Sequence, residues 1–263
     1  VVYTLKVVEI FKSLQGEGPM MGRPGAFLRL GGCNLRCPDC DTWYAWGGDE
    51  GSPIRPMEVP KVFMDLVDIF GGTASMRQGN VYVTGGEPLM QHEALGSLML
   101  GSPETYWGIE TNGTIYAPTF MSSSRKTAPS LIVPLLSPAK DSLAIGKAVV
   151  RSNVNFIVSP KLPSMHPEGL KFYDPAWSEA CRGSGRVDFK FVVNGEEEIE
   201  MVEDFVKKQR IPRNRVWIMI KGVTGEEQMK FFKDAFTRVA NEHWGFNLSA
   251  RLHVLAYDNK RGV

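Results

Sequence analysis

The sequence predicts an α/β protein with a mostly parallel sheet and helices packed outside it. The clearest sign is the last third of the chain, where strands and helices alternate. Asp188 to Val193 and Val216 to Ile220 read as strands, and Ile199, Val202, Phe205 and Val206 mark a helix face between them. That alternation implies parallel strands joined by outer helices. A second sign is that earlier short apolar runs each end in a glycine-rich or polar motif, as strands do when they deliver residues to a site. Third, 263 residues that are 43% hydrophobic and 22% charged are ordinary for a soluble chain with one substantial core. A single domain over 1–263 is expected, with an insertion around 115–153.

Composition excludes several function classes. A formal charge of +1, from 30 basic and 29 acidic residues, gives no general pull toward nucleic acid or anionic membrane, so a small-molecule substrate is expected. No run of about 18 apolar residues is present to span a bilayer. The opening VVYTLKVVEIF lacks the basic-then-apolar-then-small pattern of a signal peptide. Three clustered cysteines and a distant one form no disulfide framework, which points to a reducing cytoplasm.

In chain order, Thr4 to Phe11 reads as a strand, followed by a loop Ser13-Leu14-Gln15-Gly16-Glu17-Gly18 whose glycines permit close backbone approach. Ala26 to Leu30 is a second strand carrying Arg29, which needs an internal carboxylate or an anionic ligand if buried. Trp43 to Pro56 reads as an irregular excursion. Val59, Val62, Phe63, Leu66, Ile69 and Phe70 recur at helical spacing, and Gly71-Gly72 stops that helix. Asn80 to Thr84 is a strand delivering Gly85-Gly86-Glu87-Pro88, and Tyr106 to Glu110 delivers Glu110-Thr111-Asn112-Gly113. Asn155 to Val158 feeds Ser159-Pro160-Lys161; a rival copy, Ser137-Pro138-Ala139-Lys140, lacks the direct Pro-Lys step, and the later copy is preferred because an apolar strand precedes it directly. Thr224 with Glu227 forms a capping box, and Met229, Phe232, Phe236 and Val239 are read as that helix's inner stripe. Leu252-His253-Val254 reads as an apolar strand, where a histidine belongs equally well to core or site.

The chemistry concentrates in Gly31 to Thr42, where Cys33, Cys37 and Cys40 are spaced C-x3-C-x2-C. Thiolates select zinc, copper(I) or iron–sulfur clusters, and a closed zinc site takes four protein ligands. Three thiolates in one loop suit a [4Fe–4S] cluster with one iron left for an outside ligand. The alternative is a fourth protein ligand from afar, Cys181 being the remaining thiol; an idle buried thiol is the preferred reading of Cys181.

The C-x3-C-x2-C loop is similar to the signature of radical S-adenosylmethionine (SAM) enzymes. Together with Ile10-Phe11-Lys12-Ser13-Leu14-Gln15-Gly16-Glu17-Gly18 and Phe27-Leu28-Arg29-Leu30, it closely resembles the 7-carboxy-7-deazaguanine synthase family. That resemblance implies an incomplete (β/α) barrel and the conversion of 6-carboxy-5,6,7,8-tetrahydropterin to 7-carboxy-7-deazaguanine with loss of ammonia, using SAM and Mg²⁺. It implies that Leu14, Gln15, Gly16, Glu17, Arg29 and Thr84 contact the pterin, with His253 and Val263 as further contacts. Thr42 would serve Mg²⁺; Gly85, Gly86, Glu87, Glu110, Asn112, Ser159 and Lys161 would serve SAM. It also implies a homodimer and a reductase or flavodoxin-type electron donor. The chain departs from the family at Asp39, where an aromatic residue is usual before the third cysteine. It departs again at Met219-Ile220-Lys221-Gly222, where a Pro-Met piece is usual.

Two other functions compete. A radical SAM activase acting on a partner protein's glycine would keep the cysteines and Gly85-Gly86-Glu87 but has no need of Gln15, Glu17 and Arg29. A zinc-binding module without catalysis would need none of them beyond the cysteines.

Overall fold

The computed structural model describes residues 2–47, 53–117, 130–135, 146–151, 153–184 and 186–262. The first strand, β1 (Thr4–Leu14), pairs antiparallel with β2 (Pro24–Leu30) and with β3 (Arg55–Glu58). Helices α1 (Val59–Phe70) and α2 (Thr73–Arg77) lead to β4 (Asn80–Gly85), then α3 (His92–Leu100) and β5 (Tyr106–Thr111). Within the expected insertion, β6 (Ser130–Leu135) and β7 (Gly146–Arg151) pair antiparallel with each other as a separate ribbon. The chain continues through β8 (Asn153–Val158), α4 (Ala176–Ser184), β9 (Val187–Val193), α5 (Glu196–Gln209), β10 (Val216–Ile220) and α6 (Gly225–Asn241). It closes with β11 (Asn247–Ser249) and α7 (Leu252–Tyr257).

Nine strands form one sheet in the order β11-β10-β9-β8-β5-β4-β2-β1-β3. From β2 to β11 every pairing is parallel, so the carboxyl ends of these seven strands share one edge. The sheet curls, because Gly18 just beyond β1 donates its N–H to Ser249 Oγ of β11 at 2.8 Å, although six strands separate those two in the order. Its terminal strands do not pair with each other, leaving an incomplete barrel. The main core holds Leu28, Leu30, Val81, Val83, Ile109, Phe156, Phe189, Phe191 and Ile218 from the strands, with Val62, Leu66, Val202 and Trp177 from the helices. No helix among the described residues is long and apolar enough to cross a membrane.

The expected strands up to Val216–Ile220 and the helix over 59–70 are present, and Gly71 caps α1 at φ 73°, a conformation that costs glycine little. Four expectations are corrected. The excursion over 43–56 runs into a strand, β3, whose exposed sequence RPME carries no apolar alternation by which to recognise it. The inner stripe of α6 is Gln228, Ala235 and Val239, with Phe231 and Phe232 partly buried, while Met229 and Phe236 are exposed. The buried Gln228 amide donates to Ile220 O at 2.5 Å and so fixes which face turns inward. The capping box forms with its return bond one residue early: Thr224 Oγ1 accepts from Glu227 N, but the Glu227 carboxylate accepts from Val223 N. Finally, Leu252-His253-Val254 opens helix α7 rather than a strand.

Candidate active site

One cavity of about 770 Å³ lies inside the curl of the sheet and is lined by almost every residue singled out above. Cys33, Cys37 and Cys40 lie in the loop that leaves the carboxyl end of β2, and all three line it. Burial pushes each thiol up, Cys40 to about 11; a cluster bound there takes them as thiolates. The Leu35 N–H faces Cys33 Sγ at 3.4 Å and Asn112 Nδ2 lies 4.0 Å from it, donors suited to a ligating sulfur. Cys181 is elsewhere: it is buried in α4, donates to Val187 O at 3.2 Å and is pushed up to about 12 by burial. The three-thiol loop therefore has no help from the fourth cysteine, which fits a [4Fe–4S] group with one open iron.

The Gly85-Gly86-Glu87 motif sits directly beneath this loop. A Cβ on Gly85 would fall 2.0 Å from Leu30 O, and one on Gly86 would fall 1.9 Å from Gly32 O. Both glycines are thus required by the backbone that leads into the cysteines. Glu87 turns inward: it is fully buried, and its carboxylate accepts from Thr111 Oγ1 (2.8 Å), Asn112 N (2.7 Å) and Leu89 N (3.0 Å). It braces the 111–112 loop, while the backbone of Gly85 and Gly86 lines the cavity. Asn112 in turn donates to Asn34 Oδ1 at 2.9 Å, which ties that loop to the cysteines. Ser159 follows β8, its N–H held by Thr111 O at 2.8 Å, and Lys161 Nζ donates to Ser159 Oγ at 3.2 Å. The rival residues Ser137 and Lys140 lie outside the described residues, as does Val263.

A network of charges lines the same cavity. Glu17 Oε2 accepts from Lys190 Nζ at 2.5 Å and Oε1 from Arg251 Nε at 2.8 Å. Lys190 also reaches Glu110 Oε2 at 3.3 Å, and Glu110 Oε1 accepts from Gln15 Nε2 at 3.1 Å. Arg251 continues to Asp41 Oδ2, whose partner oxygen accepts from Thr42 Oγ1 at 2.8 Å. Burial pushes Glu17 up, but Lys190 and Arg251 outweigh it and hold the carboxyl well below its usual range. Burial lowers Lys190, yet Glu110 and Glu17 together raise it above its ordinary value. Burial lowers His253 despite nearby Glu17, so its imidazole is neutral near pH 7. Gly16 is open so that His253 can lie against it, since a Cβ there would fall 2.2 Å from Nδ1.

Arg29, partly buried, finds the internal carboxylate it was expected to need. Its Nε donates to Glu9 at 2.6 Å, its guanidinium carbon lies 5.7 Å from the centroid of the Tyr44 ring, and the residue lines the cavity. Leu14 and Thr84 line the same wall. Lys190, Arg251 and Asp41 went unnoticed in the sequence. Only Lys190 carried a signal, as a lone lysine among the apolar residues of β9. The two departures from the family pattern meet each other: Lys221 Nζ donates to Asp39 Oδ2 at 2.5 Å. Away from the cavity, Glu200, Glu242 and His243 bring ligand-type atoms together, but Arg238 donates to both carboxylates and fills that position.

An open parallel barrel with three thiols at its carboxyl edge, facing a cavity of paired charges, defines an iron–sulfur enzyme of the radical SAM class. The comparisons agree with that class and narrow it. The family described as "4Fe-4S single cluster domain" matches residues 14–122. The chain is 36% identical to the 7-carboxy-7-deazaguanine synthase of Hyperthermus butylicus, over 95% of this chain and 92% of that one. It is 35% identical to that of Pyrobaculum aerophilum, over 98% and 97%. The crystal structure of QueE from Escherichia coli superposes with a TM-score of 0.59 at 19% identity, covering 95% of each chain, and shares the fold. The chain belongs to the 7-carboxy-7-deazaguanine synthase family, with a [4Fe–4S] cluster and SAM as cofactors.

Proposed function

We propose that this enzyme converts 6-carboxy-5,6,7,8-tetrahydropterin to 7-carboxy-7-deazaguanine with release of ammonia, in the biosynthesis of queuosine-type 7-deazapurines. The observation that carries this reading is the set Gln15, Glu17, Arg29 and Glu110, which lines one cavity together with the three cysteines. A bound cluster would supply the one-electron reduction of SAM on which radical SAM chemistry depends. Cys33, Cys37 and Cys40 hold the cluster; Asn112, Ser159, Lys161 and the backbone of Gly85 and Gly86 hold SAM, with Glu87 fixing the loop beneath. Glu17 and Glu110, kept in place by Lys190 and Arg251, present carboxylate lone pairs to the N–H groups of the pterin edge. Gln15, Thr84 and neutral His253 complete that wall, with Leu14 and Gly16 shaping it and Glu110 serving both ligands. Arg29 offers its free guanidinium edge to the substrate carboxylate. Thr42 donates its hydroxyl hydrogen bond to Asp41, which leaves hydroxyl lone pairs for Mg²⁺, a hard ion that takes oxygen ligands.

One catalytic domain, expected from length and composition, and the cytoplasm, expected from cysteine usage, belong to the same reading; a homodimer, a reductase or flavodoxin-type electron donor and Val263 at the substrate rest on the family resemblance. A glycyl-radical activase has no need of Gln15, Glu17 and Arg29, which line this cavity beside the cysteines.

The test is an anaerobic assay of reconstituted protein with SAM, reductant, Mg²⁺ and 6-carboxy-tetrahydropterin, followed by mass spectrometry. The expected result is 7-carboxy-7-deazaguanine formed only when substrate and SAM are both present, and none from Cys33→Ala. 5′-Deoxyadenosine without that product refutes the substrate.

A further inference from the structure

We propose that Lys221 latches the SAM side of the cavity, and that its pairing with Asp39 sets how tightly SAM is retained. The ammonium of Lys221 joins three separate segments of the rim. It donates to Asp39 Oδ2 at 2.5 Å in the cysteine loop, one residue before Cys40. It also donates to Ser164 O at 3.1 Å, in the segment that follows Ser159 and Lys161. Its own backbone is anchored, Lys221 N–H donating to Val193 O at 2.8 Å at the end of β9. Asp39, Lys161, Met165 and Lys221 all line the cavity along with the cysteines and Ser159, so the contact ties the cysteine loop to the segment after Ser159 at the cavity.

A second bridge holds the other neighbour of Cys40. Asp41 pairs with Arg251, which donates to Gly222 O at 2.7 Å. Both flanks of the third cysteine are therefore tied to Lys221-Gly222, but the two ties differ in kind. Arg251 is buried with a planar, rigid head. Asp39 is 57% exposed and Lys221 21%, and a lysine stem is flexible, so this tie opens and re-forms and is weakened by salt. An exposed pair of this sort is worth up to about fivefold in an equilibrium.

The proposal rests on the placement of SAM beside Ser159 and Lys161, and the test separates the two. SAM dissociation constants are measured by equilibrium dialysis on anaerobic, cluster-loaded protein at about 0.02 M and about 0.5 M salt, which differ several-fold in screening length. Wild type is compared with Asp39→Asn, Lys221→Met, the double variant and the charge swap Asp39→Lys/Lys221→Asp, with iron content checked for each. At low salt each single variant binds SAM about three- to fivefold more weakly. The double variant is no weaker than either single, the swap recovers affinity, and high salt brings wild type toward the variants. Wild-type affinity in both single variants overturns the latch, as does a loss of iron that accounts for the weaker binding. Ser159→Ala is run beside them: if it leaves SAM affinity unchanged, the placement of SAM falls. If it weakens binding while the pair variants do not, the latch alone falls.

Discussion

Lys190→Met removes the cation on which two site carboxylates converge. The Lys190 side chain is 5% exposed, with Glu17 at 2.5 Å and Glu110 at 3.3 Å. Breaking a buried pair by deleting one partner costs about 3–5 kcal/mol, because the other charge stays buried. Arg251 still serves Glu17 and Gln15 still serves Glu110, so the low end applies, about 3 kcal/mol. For a chain of this size that lowers the melting temperature by roughly 6–12 °C. The loss also depends on pH. Burial raises Glu17, but Lys190 and Arg251 bring it well below its usual range. A depressed carboxyl contributes stability that is present above its unfolded value, about 4.3, and lost as pH falls through the folded value. Without Lys190 the depression shrinks, so the gap between wild type and variant is widest near neutrality and narrows below about pH 4. Urea unfolding of both proteins at neutral and acid pH reads this directly. A loss under about 1 kcal/mol near neutrality, or one equal at both pH values, refutes the account.

Three further substitutions test the rest of the site. Gly86→Ala drives a Cβ to 1.9 Å from Gly32 O; displacing that backbone costs at least the roughly 1–3 kcal/mol of an overpacked site and should lower iron and sulfide per chain, so full iron loading contradicts it. Glu87→Gln sets an amide N–H₂ against backbone donors that the carboxylate now accepts. It should cost about 1–3 kcal/mol in urea unfolding, and an unchanged midpoint would show that Glu87 is not a brace. Arg29→Lys loses the planar fork and should weaken pterin binding about tenfold, roughly the 1.4 kcal/mol of one charge-assisted bond, with SAM affinity kept; equal loss of both removes Arg29 from the substrate side.

What the sequence determined by itself was whatever is written in consecutive residues. Cys33, Cys37 and Cys40 occupy one short loop, so their chemistry is legible from spacing. The strands that end in Gly85-Gly86, Glu110 and Ser159 are legible because a parallel sheet puts such ends on one edge. Tertiary structure decided which of those residues face the cavity. Glu87, expected at SAM, is fully buried, and its depth in the sheet gives its carboxylate three protein donors. Helix α6 carries apolar residues on two faces, and the face that turns inward is the one with Ala235, Val239 and Gln228, whose amide donates to Ile220 O. The ion network lies furthest from what spacing can reveal: Lys190 and Arg251 meet Glu17 from 173 and 234 residues away. No local pattern encodes those pairings, because they exist only once the sheet has curled and brought β9 and the segment after β11 against the loop that follows β1.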